Sequence, residues 1–351
     1  MSGPLLLRCT GVTCYTPMIL GFGASAMMKR REFITLVGGT VAWPLAARAQ
    51  QPAMPVVGLL TSRAPGDTPH LLAAIRQGLK DTGFVEGQNV AIEYRFAGNQ
   101  YERLPALAAD LVHRQVPVIV ATTTPAALAA KAATTTIPVV FEVGNDPIQL
   151  GLVASLSRPG GNITGVTQMN VEVAPKRLEL LHELLPSASV MALLVDPTDP
   201  ASSEATTRNL QTAARSLGLE LHVINNDRDF EAAFAKLTQL RAGGLAISGG
   251  PFLIARQEQL AALAVRHAVP AVGETREFVA AGGLMSYGGR ITDAYRLVGV
   301  YAARILKGEK PGELPVQQAT NVEMFLNLKA AKALGITVPL PVSGRADELI
   351  E

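Results

Sequence analysis

The chain has almost no cysteine or tryptophan. Its 351 residues include two cysteines and one tryptophan, and these are Cys9, Cys14 and Trp43. Because no cysteine follows position 14, the chain from Gln50 onward cannot form a disulfide, a zinc–thiolate site or a cysteine nucleophile. A region without thiols is indifferent to the redox state of its compartment, so the location of the protein has to be inferred from other features.

The chain also lacks a strong charge of either sign. Five of the 31 basic residues and one of the 29 acidic residues precede Gln50, which leaves 26 basic and 28 acidic side chains in the remainder. This balance provides no counterion release on nucleic acid and no polybasic contact with anionic lipid. We therefore expect neither nucleic acid nor a lipid surface as a partner.

No catalytic motif is present after position 50. The G-x-S-x-G elbow, the G-x-x-x-x-G-K-[ST] phosphate loop and the H-E-x-x-H metal motif are all missing. The histidines are scattered without metal-ligand spacing, at His70, His113, His182, His222 and His267. The sequence therefore predicts a protein that is not an enzyme and has no metal site and no cofactor.

Residues 27–49 have the three parts of an export signal: a basic start, a short apolar run and an A-x-A cleavage pattern. These parts are, in order, Lys29-Arg30-Arg31, residues 35–47 and Ala47-Arg48-Ala49. The apolar run is shorter than the roughly 18 residues that a membrane-spanning helix needs. We interpret it as a cleaved signal, and residues 1–26 as an extension upstream of the true start.

The route of export has two interpretations. Arg30 and Arg31, followed closely by Phe33, resemble the twin-arginine motif, whereas an ordinary secretory signal with two arginines is the alternative. No cysteine follows the apolar run, so the sequence predicts no lipid anchor. Either route predicts a soluble periplasmic protein without a membrane span in the mature chain.

From Val56 onward, short apolar runs alternate with helical patterns, which is typical of βαβ units around parallel sheets. The predicted strands are 56–61, 90–94, 116–121, 139–141, 190–195, 219–224, 245–248, 271–273 and 284–287. The predicted helices include 104–113, 126–133, 150–156, 176–185, 201–217, 230–240, 254–267 and 294–306. These patterns predict two Rossmann-like, doubly wound α/β lobes, at 55–168 and 169–285. We expect residues 286–351 to form a hinge crossing and a C-terminal segment that mostly returns to lobe 1.

Polar residues follow the strands of both lobes, where the carboxyl ends of parallel strands are expected to meet in a cleft. The candidate ligand-binding residues are Thr61, Ser62, Thr122, Thr123, Thr124, Asn145 and Asp146 from lobe 1, with Asp196, Gly250, Glu274 and Tyr287 after it. A helix N-terminus with hydroxyl caps favours a carboxylate, and Asp196 or Glu274 could receive an ammonium or a sugar hydroxyl. The alternatives are plain helix caps, solvated loop acids and a hinge-packing tyrosine.

Several blocks of this chain together resemble the ABC transporter substrate-binding family, whose members include tryptophan and tyrosine receptors. The blocks are residues 138–141, 146–147, 152–165, 176–181, 282–288, 314–318 and 346–351. The resemblance runs from about Val56 to the last residue. It implies a type I periplasmic-binding fold with a hinge, a central cleft and three crossings between the lobes.

The resemblance also implies the function. It places the pocket at the loops of Thr61, Thr123, Asn145, Asp196, Gly250 and Glu274, with Tyr287 near the hinge. Thr122, Thr123 and Thr124 stand where relatives often have glycine, so this wall is expected to be bulkier and more polar. We expect a monomer that carries a small, amino-acid-like ligand to an ABC permease. The alternatives are an exported sensory receptor and an exported α/β enzyme.

Overall fold

The computed structural model describes residues 54–225, 229–319 and 321–351. The predicted extension at 1–26 and the export signal at 27–49 lie outside these residues, so both remain predictions. The predicted signal residues Arg30, Arg31, Phe33, Ala47 and Ala49 also lie outside the described residues.

The described residues form two sheets. The strands are β1 (Val56–Thr61), β2 (Ala91–Phe96), β3 (Val118–Thr122), β4 (Val139–Val143), β5 (Ile163–Thr167), β6 (Val190–Val195), β7 (Glu220–Asn225), β8 (Gly244–Ile247), β9 (Ala271–Gly273), β10 (Met285–Gly289), β11 (Gln317–Gln318), β12 (Val322–Asn327) and β13 (Glu348–Ile350). The first sheet has the order β11-β5-β4-β3-β1-β2, and the second has the order β13-β12-β10-β9-β8-β6-β7. This arrangement confirms the predicted class of two α/β lobes.

Helices cover both faces of each sheet. They are α1 (Pro69–Asp81), α2 (Leu104–His113), α3 (Thr124–Ala133), α4 (Asn170–Leu184), α5 (Pro200–Leu217), α6 (Phe230–Leu240), α7 (Pro251–Ile254), α8 (Gln257–Arg266), α9 (Arg276–Ala280), α10 (Ile291–Leu306), α11 (Leu328–Ala333) and α12 (Leu340–Ser343). Because helices on both faces of a parallel sheet bury the side chains of its central strands, these strands are continuously apolar.

Lobe 1 shows this burial in β1. Leu59 packs on one face of the sheet with residues of α1 and α10, while Leu60 packs on the other face with residues of α2 and α3. All neighbouring strands of this sheet are parallel. The loops after β1, β3, β4 and β5 therefore meet at one edge.

Lobe 2 repeats the plan. Leu193 of β6 packs with α4 and α5, and Leu194 packs with α6, α8 and α9. The sheet is parallel from β7 to β10, whereas β12 is antiparallel to β10. The loops after β6, β8 and β9 consequently meet at one edge as well.

The chain crosses between the sheets three times: after β5, after β10 and after β11. The second crossing leads to α10, which packs on α1 in lobe 1 through two glycines. A Cβ at Gly78 would lie 1.9 Å from the Arg296 carbonyl oxygen, and one at Gly299 would lie 2.2 Å from the Ile75 carbonyl oxygen. Only glycine permits this distance between the two helix backbones.

The C-terminal segment divides differently from the prediction. The sequence placed residues 286–351 mostly with lobe 1, whereas only α10 and β11 join the first sheet. The strands β12 and β13 extend the second sheet instead, because β12 pairs with β10 and β13 pairs with β12.

Two other predicted elements differ from the structure, and one observed strand was not predicted. Residues 150–156 form turns rather than a helix, since Gly151 has a φ of +67° and Leu152 N donates to the Pro147 carbonyl. The predicted helix 254–267 begins three residues later, as α8, because Ile254 is the last residue of the short helix α7. The strand β5 was not predicted, because glycine and threonine interrupt its apolar pattern.

Within the described ranges, no helix combines the length and the apolar character that crossing a membrane would require.

Candidate functional site

A small cavity lies where the loops of the two lobes meet. Its volume is about 50 Å³, and residues of both lobes form its walls. The lobe 1 wall consists of Arg63, Thr123, Thr124, Glu142, Gly144 and Asn145. Gln168 lines it at the first crossing and Ile291 at the start of α10. The lobe 2 wall consists of Asn170, Val171, Asp199, Ser202, Gly249, Gly250, Pro251, Ile254 and Glu274.

The loop between β3 and α3 brings a helix N-terminus to the cavity. Thr123, directly before α3, has φ +98° and ψ 148°, a region that β-branched residues rarely adopt. Its hydroxyl accepts a hydrogen bond from Ser62 Oγ at 3.0 Å, and its N–H donates to the Glu142 carbonyl. These contacts hold Thr123 in its strained conformation at the cavity wall.

Polar side chains also join the two lobes across the cleft. Asn145 Oδ1 accepts hydrogen bonds from Thr124 Oγ1 at 2.8 Å and from Ser202 Oγ of α5 at 3.0 Å. Nearby, Tyr101 OH donates to Asp196 Oδ2 at 3.3 Å. Because Ser202 and Asp196 belong to lobe 2, the lobes are in direct contact around the cavity.

Two buried charged residues line the lobe 1 side of the cavity. Glu142 is 4% exposed, and its Oε1 accepts a hydrogen bond from Gln168 Nε2 at 2.5 Å. Burial raises the pKa of Glu142 to about 7, although Gln168 and the nearby Arg63 act in the opposite direction. Burial alone would lower the pKa of Arg63, but Tyr295, Glu142 and Glu274 together raise it. Arg63 is therefore a permanent buried cation at this wall.

The lobe 2 side is built around Glu274. Its Oε1 accepts a hydrogen bond from Asn170 Nδ2, which also donates to Gln168 Oε1 at 3.0 Å. Behind it lies the buried Arg177, whose Nη2 donates to the Asn170 carbonyl at 2.5 Å and lies 3.8 Å from Glu274 Oε2. Burial lowers the pKa of Arg177, and the neighbouring Glu274 opposes this effect.

Asp199 supplies a second carboxylate from lobe 2. As the N-cap of α5, it accepts a hydrogen bond from Ser202 N at 3.3 Å through Oδ1. Its Oδ2 is buried and accepts no hydrogen bond from the described residues, which is also true of Glu274 Oε2. Burial raises the pKa of Asp199.

The structure brings some of the predicted site residues to the cavity. Those that line it are Thr123, Thr124, Asn145, Gly250 and Glu274. Thr61, Ser62 and Thr122 are buried at or next to the ends of β1 and β3 and do not line it. Ser62 reaches the wall only through its hydrogen bond to Thr123.

Three predicted residues have other surroundings. Asp146 accepts a hydrogen bond from Ile148 N at 2.8 Å, which closes a local turn. Asp196 binds Thr198 through Oδ1 and Tyr101 through Oδ2. Tyr287 packs against the core of lobe 2. None of the three lines the cavity, since the loops turn their side chains to local partners.

Sequence reasoning missed several charged, amide and hydroxyl side chains of the site. These are Arg63, Glu142, Gln168, Asn170, Asp199 and Ser202. A signal existed for Glu142, because a carboxylate inside an otherwise apolar buried strand needs a partner or a function. No comparable signal marked Gln168, which follows the unpredicted strand β5.

The described residues contain no group of three or more His, Cys, Asp or Glu side chains that could hold a metal ion. The predicted lack of a cofactor and a metal stays a prediction.

Comparisons with known proteins agree with this architecture. The family model of the ABC transporter substrate binding protein matches residues 69–350. A tyrosine-binding protein of Clostridioides difficile (strain R20291) is 26% identical over 261 residues, which are 74% of each chain.

Two solved structures have the same fold. A conserved domain protein of Vibrio cholerae superposes with a TM-score of 0.77 at 26% identity, over 84% of this chain and 99% of that one. An ABC domain of Streptococcus pneumoniae in complex with L-Trp gives a TM-score of 0.75 at 23% identity, with the same coverage. The predicted two-lobed fold and family are thus confirmed, and this chain belongs to the ABC transporter substrate-binding protein family.

Proposed function

We propose that this protein binds a small polar, amino-acid-like solute between its lobes and delivers it to an ABC permease. The observation that carries the proposal is a cavity lined by buried polar groups from both lobes, such as Asn145 and Asp199. A solute held by both walls binds the closed arrangement better than an open one. That differential affinity shifts the equilibrium toward closure, which a permease can recognise.

The relatives support an amino-acid-like solute. The similar protein of C. difficile is called a tyrosine-binding protein, and the S. pneumoniae domain was solved with L-Trp. The walls of the present cavity offer a cation at Arg63 and carboxylates at Asp199 and Glu274. These groups complement the carboxylate and the ammonium of an amino acid.

We further propose that the protein acts without catalysis, as a periplasmic monomer. In support, no histidine and no cysteine lies among the cavity-lining residues, so the hydroxyls of Thr123, Thr124 and Ser202 have no imidazole base beside them. An exported sensory receptor would use the same cleft, and co-purification with a permease rather than a signalling partner distinguishes it.

A thermal-shift screen with the common amino acids tests the proposal. A solute at 100 times its dissociation constant should add about 2.7 kcal/mol to the free energy of unfolding. Small-angle X-ray scattering should then show a smaller radius of gyration with that solute. If no solute raises the melting temperature, or if one is chemically converted, the proposal is rejected.

A further inference from the structure

The size of the cavity limits the solute. A single water requires roughly 10–15 Å³ of such space, so a cavity of about 50 Å³ admits only a compact solute. The hydrogen bonds from Ser202 to Asn145 and from Tyr101 to Asp196 already join the lobes. The volume therefore describes a cleft whose lobes are already in contact, and it leaves less room for the indole of tryptophan or the phenol ring of tyrosine than for a side chain of a few atoms.

The walls lack the groups that receive an aromatic ring. Binding sites for rings are lined mainly by apolar and aromatic side chains. Here the lining has no Phe, Tyr or Trp, and its larger apolar side chains are Val171, Pro251, Ile254 and Ile291. The remaining side chains are charged, amide or hydroxyl groups.

A second cavity adjoins the first but does not provide a ring pocket. It has a volume of about 500 Å³ and shares Arg63, Ile254 and Ile291 with the site. Its other walls include Asp67, Arg256, Glu258 and Glu277, and no Phe, Tyr or Trp lines it. A ring directed into this space would meet Arg256, Glu258 and Glu277 beside the apolar Leu71, so it would not enter a purely apolar pocket.

Three buried polar atoms at the site have no hydrogen-bond partner among the described residues: Arg63 Nε, Asp199 Oδ2 and Glu274 Oε2. Their residues line the cavity, and Arg63 and Asp199 are only 4% and 3% exposed. Leaving a buried polar atom without a hydrogen bond is costly. A carboxylate can pair with Arg63, and a single ammonium carries three N–H donors, enough for both acidic oxygens.

Building on the proposed solute-binding function, we propose that the site selects compact zwitterionic amino acids with a side chain of at most a few atoms, and excludes tyrosine and tryptophan. Glycine, L-alanine and L-serine represent the selected class. The specificity comes from Arg63 on one wall, Asp199 and Glu274 on the other, and the small space between them.

Isothermal titration calorimetry on the mature chain tests the size limit and both charges. The probes are glycine, L-alanine, L-serine, L-tyrosine and L-tryptophan, with N-acetyl-L-alanine and L-alaninamide as analogues that lack one charge. At least one compact amino acid should bind, and the aromatic amino acids should bind at least about tenfold more weakly. Each single-charge analogue of L-alanine should also lose at least about tenfold in affinity, because it leaves a buried charge unpaired.

Two variants assign the charges. Asp199→Asn keeps a helix-capping side chain and should weaken binding of the compact amino acid at least about tenfold, as should Arg63→Gln. The matched control is Glu204→Gln on the same helix α5, where Glu204 is exposed and its side chain is 71% accessible; its affinity should not change. Circular dichroism melting of each variant shows that it is folded.

The possible results separate the two proposals. Tight binding of tyrosine or tryptophan, or equal binding of N-acetyl-L-alanine, overturns the specificity while the solute-binding function stands. Unchanged affinity in a folded Asp199→Asn variant overturns the assignment of the ammonium to this carboxylate. If none of the probes and no other solute in the thermal-shift screen binds, the solute-binding function fails, and the specificity fails with it.

Discussion

The two lobes share one architecture but line the cavity with different chemistry. Lobe 1 contributes hydroxyls, a helix N-terminus and a buried cation, with Arg63 beside Glu142. Lobe 2 contributes the carboxylates Asp199 and Glu274, together with Gly250, whose φ is +133°. A solute with charges of both signs is therefore complemented only when both walls surround it, so the division of charge itself favours closure.

The carboxylate wall of lobe 2 depends on a buried counterion, and its removal should have the largest effect on stability. Arg177 and Glu274 have side chains that are 3% and 9% exposed. Arg177→Ala leaves Glu274 without this charge, and we expect the free energy of unfolding to fall by about 3–5 kcal/mol. Urea denaturation measures the change. The control is Arg208→Ala, because Arg208 is exposed and its loss should cost less than about 1 kcal/mol.

The wall of lobe 1 should give the protein a pH dependence of stability. Since the folded pKa of Glu142 is about 7 against an ordinary value of 4.5, the folded state binds more protons than the unfolded state between these values. The free energy of unfolding should therefore decrease as the pH rises through this window, by at most about 3 kcal/mol. Asp199 shifts in the same direction. Denaturation of Glu142→Gln at pH 5 and pH 8 should show a smaller difference than the parent chain, and an equal or larger difference would contradict the assignment.

The residues that precede α3 and α7 differ between the lobes, and substitutions there should have the smallest effects on stability. Both helices follow a residue with positive φ, but lobe 1 has Thr123 at +98° and lobe 2 has Gly250 at +133°. Gly250→Ala should lower the free energy of unfolding by about 1–2 kcal/mol. Thr123→Gly relieves strain but loses the hydrogen bond from Ser62, so its net effect should stay within about 1 kcal/mol. Thermal melting of both variants checks the expected difference, and an equal loss from the two substitutions would remove the proposed contrast.

The sheet strands were predictable because burial on both faces leaves a continuous apolar run. The structure confirms the predicted bounds of β1 and β6 without change. Its β5 escaped prediction because Gly165 is required by close packing: a Cβ there would lie 2.2 Å from the Phe141 carbonyl oxygen. In the sequence, a glycine that close packing requires inside a strand is indistinguishable from a glycine that marks a turn.

Only the site residues that lie next to the ends of strands could be predicted from the sequence. Thr123 follows β3 directly and Asn145 is the second residue after β4, and proximity to the sheet edge was enough to select them. The pairing of Arg177 with Glu274, and of Ser202 with Asn145, joins residues that are distant along the chain. Such contacts depend on how the helices pack and on how the lobes meet. Local sequence patterns do not predict either of these.

The glycine contact between α1 and α10 has a consequence for the order in which the molecule folds. Val57 and Leu59 are covered partly by Tyr295 and Val298, which belong to α10. Residues 54–168 alone would leave this face of their sheet open to water. Lobe 1 therefore completes its core only after the ribosome has made α10, which follows most of lobe 2 along the chain. Until then, the face of the sheet that contains Val57 and Leu59 lacks part of its cover.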